Sequence, residues 1–367
     1  VIGLGNIGGI HIASFNEIEE SQLIGIFDED QDLVTKTSSS IEGGCRAYTD
    51  LTEVLGDKDV DLISICTPTG SHLEIAKAAL AVGKHLVIEK PIDVDISAAR
   101  EFVALASKNK SQTVHIVSQH RFDPSSQIVR TLLEQGAFGK ISTALASIAW
   151  WRSQGYYDSA DWRGTWAQDG GGALLNQGVH TLDLLLWYMG KPRRIFANAK
   201  ILAHEGIEVE DALVATIEFE NGSLAALHAT TNAYPGVETS LQLFGTKGSA
   251  QIVNDQLSFL HIENAAQPVG PLGINGLGNQ RDSFLQAKNS EYLDATEDHA
   301  PHLRQLKQIV IAIQSGELSG VQPNEAYLAL STIRAAYISS QLGTPVEISK
   351  VLAGEYDKLT FSFESGT

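Results

Sequence analysis

Val1-Ile2-Gly3-Leu4-Gly5-Asn6-Ile7-Gly8-Gly9-Ile10-His11 decides the fold: an apolar run enters glycines spaced G-x-G-x-x-G and continues into the helix-like stretch Gly9–Phe15. Glycines at this spacing let a pyrophosphate approach the backbone unhindered by a β-carbon, and the following helix points free N–H groups at it. Gly3, Gly5, Asn6, Ile7 and Gly8 are therefore candidate cofactor-binding residues. Asp28 stands 20 residues after the last glycine, at the end of the apolar run Leu23–Phe27, where a carboxylate can accept both ribose hydroxyls of a dinucleotide. Glu29 and Asp30 follow with no arginine nearby, so a 2′-phosphate would meet only negative charge. The expected cofactor is NAD in preference to NADP.

Outward from this motif, the chain up to residue 119 alternates apolar strands (Val1–Leu4, Leu23–Phe27, Leu62–Cys66, His85–Ile88, Thr113–Val117) with helical patterns at 8–16, 30–39, 50–55, 71–82 and 95–108. That rhythm predicts an α/β, doubly wound parallel sheet, a Rossmann domain. From about 139 it gives way to longer alternating runs: Ile141–Arg152, Arg194–Ala203, Ala212–Glu220, Leu224–Thr231, Ser240–Phe244 and Ala250–Asn254. Asn221-Gly222 between two of them signals a hairpin. With helices expected at 123–135, 173–189, 300–316 and 324–341, this half reads as an α+β domain on a large, mostly antiparallel open sheet. The polar stretch 265–298 reads as a long loop. The expected domains are 1–119 and 120–367.

A length of 367 residues fits two domains, and 43% hydrophobic with 19% charged residues is a soluble globular composition. The 26 basic against 44 acidic residues leave a formal charge of −18, a field that repels nucleic acid and anionic membrane surfaces. No apolar run approaches the ~18 residues of a spanning helix. Cys45 and Cys66 suggest neither a disulfide framework nor a thiolate metal site, so a reducing, cytoplasmic setting is expected. The chain begins at Val1, inside an apolar run and without Met, and is read as lacking a few N-terminal residues.

Two further motifs carry chemistry. Glu89-Lys90-Pro91 ends the His85–Ile88 strand, and ligands of open parallel sheets sit off the carboxyl ends of strands; a lysine there can hold positive charge against a developing alkoxide. A strand-end lysine is otherwise a solvated surface residue. In Asp169-Gly170-Gly171-Gly172-Ala-Leu-Leu-Asn176-Gln177-Gly178-Val-His180-Thr-Leu-Asp183, the glycines offer a flexible, side-chain-free entry. Helical spacing then places Asn176, His180 and Asp183 on one stripe. Histidine, with an unperturbed pKa of about 6.5, can take a hydroxyl proton at neutral pH and return it. The remaining histidines, His11 and His302 among them, show no HxxxH or HExxH spacing, and no bound metal is expected. All five tryptophans lie between 150 and 187, a cluster that suits a carbohydrate pocket and equally core packing. Beside Trp162, Arg152 and Arg163 could clamp a carboxylate or phosphate, or pair with Asp158 and Asp161.

Together, the glycine fingerprint, Thr67-Pro68-Thr69-Gly70-Ser71-His72, Glu89-Lys90-Pro91, Gly170–His180 and Gly245-Thr246-Lys247-Gly248-Ser249 resemble the Gfo/Idh/MocA oxidoreductases, in family order over nearly the whole chain. The resemblance implies NAD(P)-dependent oxidation or reduction of a sugar, cyclitol or nucleotide sugar, with Lys90 and His180 as the catalytic lysine and histidine. Asn176 stands where many members carry aspartate, which shifts proton handling onto His180 and leaves Asn176 to orient substrate. The resemblance also puts Thr67, Pro68, His72, Glu89 and the Arg121 of His120-Arg121-Phe122-Asp123-Pro124 near the cofactor, and Arg152, Trp162 and Arg163 on the substrate side. It implies homodimers or homotetramers packed through the C-terminal sheet. Two other functions stay open on these residues: an NAD-dependent glycosidase that oxidises its sugar transiently, and a non-catalytic NAD-sensing regulator.

Overall fold

Short apolar runs bounded by aspartate and glycine make short strands here, and aspartates start three of the helices between them. In the computed structural model, which describes residues 1–109, 111–264, 269–273, 278–292, 300–316 and 320–363, contacts divide the chain into two units. The first is Val1–Gln119 with Thr296–Leu328, the second His120–Ala295 with Ala329–Thr367.

The first unit runs α1 (Asn6–Glu17), β1 (Gly25–Ile26), α2 (Gln31–Ser40), β2 (Arg46–Ala47), α3 (Leu51–Gly56), β3 (Leu62–Ile65), α4 (His72–Ala81), β4 (His85–Ile88), α5 (Ile96–Lys108) and β5 (Val114–Ile116). Asp30, Asp50 and Asp95 cap α2, α3 and α5 by accepting amides of the first turn, each worth about 1 kcal/mol. β1 pairs β2, and β3-β4-β5 form a parallel ladder. Ile2 bridges the two groups, parallel to both Phe27 and Ile65. The expected strand Val1–Leu4 is thus reduced to one bridging residue, Ile2, because Gly3 at φ +88° turns the chain out of the extended region. β2 was not foreseen. Phe15 and Ile18 on the α1 side pack with Val87, Val117 and Leu306, Ile309 and Val310 of the helix Ala300–Ser315. This packing returns 296–328 to the first unit, where a linear division at 119/120 leaves it with the second.

The second unit holds α6 (Pro124–Glu134), β6 (Ile141–Ala149), α7 (Gln154–Tyr157), α8 (Val179–Met189), β7 (Pro192–Lys200), β8 (Ala212–Phe219), β9 (Leu224–Thr230), β10 (Thr239–Gly245), β11 (Gly248–Val253), β12 (Gln256–Ile262), α9 (Arg281–Tyr292) and β13 (Val346–Glu347). Its eight strands lie in the order β12-β11-β10-β6-β9-β8-β7-β13, antiparallel except β6 with β9. α6 and α8 cover one face. On the other, Leu145, Phe196, Val214 and Leu224 are exposed. Asn221-Gly222 makes the expected β8–β9 hairpin. β12 was missed because its entry turn is Asn254-Asp255, two residues at positive φ in place of the more familiar Asn-Gly. α9 occupies part of the stretch expected as a loop; 265–268, 274–277 and 293–298 lie outside the described residues. The helix expected over 173–189 is broken: Ala173–Gln177 is a π-turn, closed by the Gly178 amide on the Ala173 carbonyl at 2.9 Å, and α8 follows. Among the described residues no helix is long and apolar enough to cross a membrane.

Candidate functional site

The nucleotide side is built in the first unit. A β-carbon on Gly3 would lie 2.6 Å from the Cys66 carbonyl carbon, and one on Gly8 would lie 2.0 Å from the Gly3 oxygen, so both glycines are fixed by backbone packing. Gly5 differs. A β-carbon there meets nothing within 4 Å, and as N-cap of α1 Gly5 offers no side chain to the first helical amides. Open space above an uncapped helix start is what a pyrophosphate needs, so the residues present fit a dinucleotide; Asn6 and Ile7 are the first two residues of that helix. The Asp28 carboxylate accepts the Leu4 amide at 2.7 Å and the Asp30 amide at 3.0 Å, which orient it against the glycine loop. Each oxygen keeps a further lone pair for a hydroxyl donor.

Beyond β3, Thr67 Oγ1 accepts the Ser71 hydroxyl at 2.9 Å. His72 braces this loop: its Nε2 lies 2.9 Å from the Thr67 carbonyl and its Nδ1 3.1 Å from the Pro91 carbonyl. Burial pushes the imidazole pKa down, and the neutral ring donates to one of these two oxygens. Both nitrogens therefore face backbone, a positional role for a residue expected at the nucleotide. Glu89, likewise expected at the cofactor, is buried, with its carboxylate turned toward His11 at 3.0 Å and His302 at 3.6 Å. Lys90 is half-buried, donates its amide to Glu89 Oε2 at 3.1 Å, and joins Pro91 through a cis peptide.

The second unit carries His180 and Asn176. The glycine run before them serves packing more than flexibility. A β-carbon on Gly171 would sit 2.6 Å from the Tyr337 hydroxyl, and one on Gly172 would sit 1.7 Å from the Glu210 carbonyl oxygen. Glu210, which no sequence pattern picked out, is wholly buried and accepts the Gly172 amide at 2.8 Å, the Leu174 amide at 2.8 Å and the Tyr337 hydroxyl at 3.0 Å. Burial pushes its carboxyl up to about 7, against the pull of the three donors. For an acid raised in the folded state, the associated stability is full below the ordinary carboxyl range and is lost as pH climbs through about 7. The rise from 4.5 to about 7 corresponds to about 3 kcal/mol. Thermal melts from pH 5 to 8 should show Tm falling in the wild type, and the fall should flatten in Glu210→Gln; an equal slope in both would reject the assignment.

Asn176 donates to the Gly171 carbonyl at 3.0 Å and hydrogen-bonds Asp169, so it is tied to the glycine run. The π-turn inserts extra arc between Asn176 and α8, and the single stripe expected for Asn176, His180 and Asp183 does not form as an α-helical row. Asp183 accepts Arg121 Nε at 2.7 Å and a terminal guanidinium nitrogen at 2.6 Å, a buried bidentate pair. Arg121 also lies 5.4 Å from the Trp187 ring centre, with Arg130 at 5.2 Å. The residue expected beside the nicotinamide thus anchors the helix that bears His180. His120, of the segment that the resemblance put near the cofactor, meets the His180 ring edge-on at 5.0 Å, and its Nδ1 lies 2.8 Å from Asp123 and 3.4 Å from Asp255.

The tryptophans divide between roles. Trp166 packs on Tyr337, Phe361 and Phe363, and Trp187 between its arginines. Trp150, Arg152, Tyr156, Arg163 and Trp162 form an alternating ladder with guanidinium-to-ring distances of 4.8, 5.1, 4.3 and 4.4 Å. Among the described residues, neither arginine pairs with Asp158 or Asp161; cation–π contacts hold them, leaving most donors of each guanidinium without a carboxylate.

Comparison with known proteins fits this geometry. Residues 1–117 match the model of the oxidoreductase family with an NAD-binding Rossmann fold, and residues 126–251 match the GFO/IDH/MocA C-terminal domain. The chain is 27% identical over 272 residues to the oxidoreductase YrbE of Bacillus subtilis, covering 72% of this chain and 76% of that one. It is 24% identical over 357 residues to myo-inositol 2-dehydrogenase of Thermotoga maritima, covering 96% and 98%. Among solved structures, it is similar to the WlbA dehydrogenase of Bordetella pertussis in complex with NADH and UDP-GlcNAcA, at a TM-score of 0.79 and 26% identity, with 94% and 96% covered.

Proposed function

The chain belongs to the Gfo/Idh/MocA family of NAD-binding oxidoreductases, and on that premise we propose that it is a dehydrogenase of a sugar, cyclitol or nucleotide sugar using Lys90 and His180. The observation that carries this reading is the open cradle at Gly5, in the same unit as the parallel sheet β3-β4-β5 whose strand β4 runs into Glu89-Lys90. When bound, NAD supplies the hydride acceptor. The chain supplies the rest: a ring nitrogen of His180 takes the proton of the substrate hydroxyl, and Lys90 Nζ holds positive charge against the oxygen left behind. Asn176, fixed by Gly171 and Asp169, orients the substrate. Asp28, facing the ribose position with Glu29 and Asp30 beside it, favours NAD over NADP.

On the substrate side, the Arg152–Arg163 ladder with Trp162 suits a carboxylate- or phosphate-bearing sugar, as in the UDP-GlcNAcA complex of WlbA. The family likeness to myo-inositol 2-dehydrogenase supports a free cyclitol instead. The exposed apolar face of the eight-stranded sheet, with Leu145, Phe196, Val214 and Leu224, fits a second copy of this chain, giving a homodimer or homotetramer. The formal charge of −18 disfavours nucleic acid and membrane partners, and two free cysteines suit the cytoplasm.

A thermal-shift series tests the reading, since a ligand that binds only the native state raises Tm by mass action. NADH should raise Tm at concentrations where NADPH does not. With NAD present, UDP-GlcNAcA should add a further rise and accumulate NADH on incubation, and myo-inositol alone doing so would move the substrate to the cyclitol class. Equal response to NADPH would overturn the role given to Asp28.

A further inference from the structure

Behind Lys90 lies a buried polar chain outside the chemistry assigned so far. Ser64 Oγ is 2.7 Å from His11 Nδ1, His11 Nε2 is 3.0 Å from Glu89 Oε1, and His302 Nε2 approaches the same oxygen at 3.6 Å. Glu89 Oε2 accepts the Lys90 amide. The order Ser–His–Glu has the form of a nucleophilic triad, yet Ser64 is 2% exposed and His11 0%, so no substrate carbonyl can reach the hydroxyl. A buried carboxylate needs compensation. Burial alone would push the Glu89 carboxyl up; the two histidines outweigh it and hold the group well below its ordinary value.

The members come from four places: His11 from α1, Ser64 from β3, Glu89 from the end of β4, and His302 from the helix Ala300–Ser315. Because Glu89 Oε2 accepts the Lys90 amide, a Glu89 carboxylate held inward fixes the backbone from which the Lys90 side chain leaves. On the far side of Lys90, His72 grips the Pro91 carbonyl. We infer that His11 and His302 are positioning residues for Lys90, acting through the Glu89 carboxylate and tying the lysine to the helix that begins at the nucleotide cradle. This rests on the role of Lys90 proposed above.

The test compares His11→Gln, which keeps an N–H donor for Glu89 and an acceptor for Ser64, with His11→Leu, which keeps bulk and removes both; His302→Leu is the milder second variant should His11→Leu not fold. Each protein, saturated with NADH, is reductively methylated with 13C-formaldehyde, and the Lys90 resonance is identified by its loss in Lys90→Arg. The wild type and His11→Gln should share one Lys90 position, while His11→Leu and His302→Leu should move it toward the exposed lysines. Turnover on UDP-GlcNAcA or myo-inositol, whichever is oxidised, should fall about tenfold or more in the leucine variants with KM changed less than about threefold, and should recover in His11→Gln. An unmoved Lys90 signal in a folded, NADH-binding leucine variant would overturn the inference, as would a glutamine variant no better than the leucine one. Full activity of Lys90→Met would instead sink the site reading itself, whatever the histidine variants do.

Discussion

Lys90→Met is expected to lower turnover by about 10²- to 10⁴-fold while NADH affinity stays within about threefold of wild type, and His180→Ala to do the same. On the proposed function, the lysine can be lost without disturbing the cradle because the nucleotide would be held by other features: the open space at Gly5, the start of α1 and the Asp28 carboxylate fixed by two amides. What the methionine removes is charge at the oxygen that loses its proton, an interaction stronger in the transition state than in the ground state, so the loss should appear in turnover and not in KM. The double variant should be little worse than either single one, because two residues that act as a unit are strongly non-additive. Steady-state rates on the substrate found in the thermal-shift series, together with NADH fluorescence titration, measure both quantities. Near-wild-type turnover in both single variants would mean that the proton is handled elsewhere.

Gly172→Ala should be the most damaging single methyl in the second unit, costing about 4 kcal/mol or more, enough to leave little soluble protein. The added carbon would sit 1.7 Å from the carbonyl oxygen of Glu210, a backbone atom that cannot rotate aside. That oxygen also accepts the Ala173 amide at 2.9 Å, and the Glu210 carboxylate accepts the Gly172 and Leu174 amides, so relief in one place breaks bonds in another. Gly5→Ala is the control. Its β-carbon meets nothing within 4 Å, so urea unfolding should be unchanged within about 0.5 kcal/mol while NADH affinity falls, because the methyl occupies the space left for the pyrophosphate. Comparable destabilisation by the two substitutions would remove the distinction between a packing glycine and a cradle glycine.

Both substitutions fall in glycine motifs, and the sequence treated them alike. The turn and helix of the first motif were legible because they follow one another within a dozen residues, and the family model matched over residues 1–117 is that of an NAD-binding Rossmann fold. The second was read as a flexible entry because its partners, Glu210 and Tyr337, are remote in sequence and carry no periodic signature. The same separation hid the pairing of Arg121 with Asp183 and of His11 with Glu89 and His302, each of which joins elements brought together only by folding. The turn at Asn254-Asp255 was a local signal that was missed, and β12 with it.

Hydrophobic period and glycine spacing were enough to assign the strand–helix alternation of the first unit, the hairpin at Asn221-Gly222 and the nucleotide fingerprint, since each depends on backbone geometry within one or two turns of chain. Folding alone decided which side chains those elements turn toward one another: that a histidine of the fingerprint helix clasps the acid beside Lys90, and that a buried glutamate seats the segment bearing Asn176. Such contacts arise where packing forces polar groups out of water and into one another's reach, and no spacing along a single strand or helix encodes that constraint.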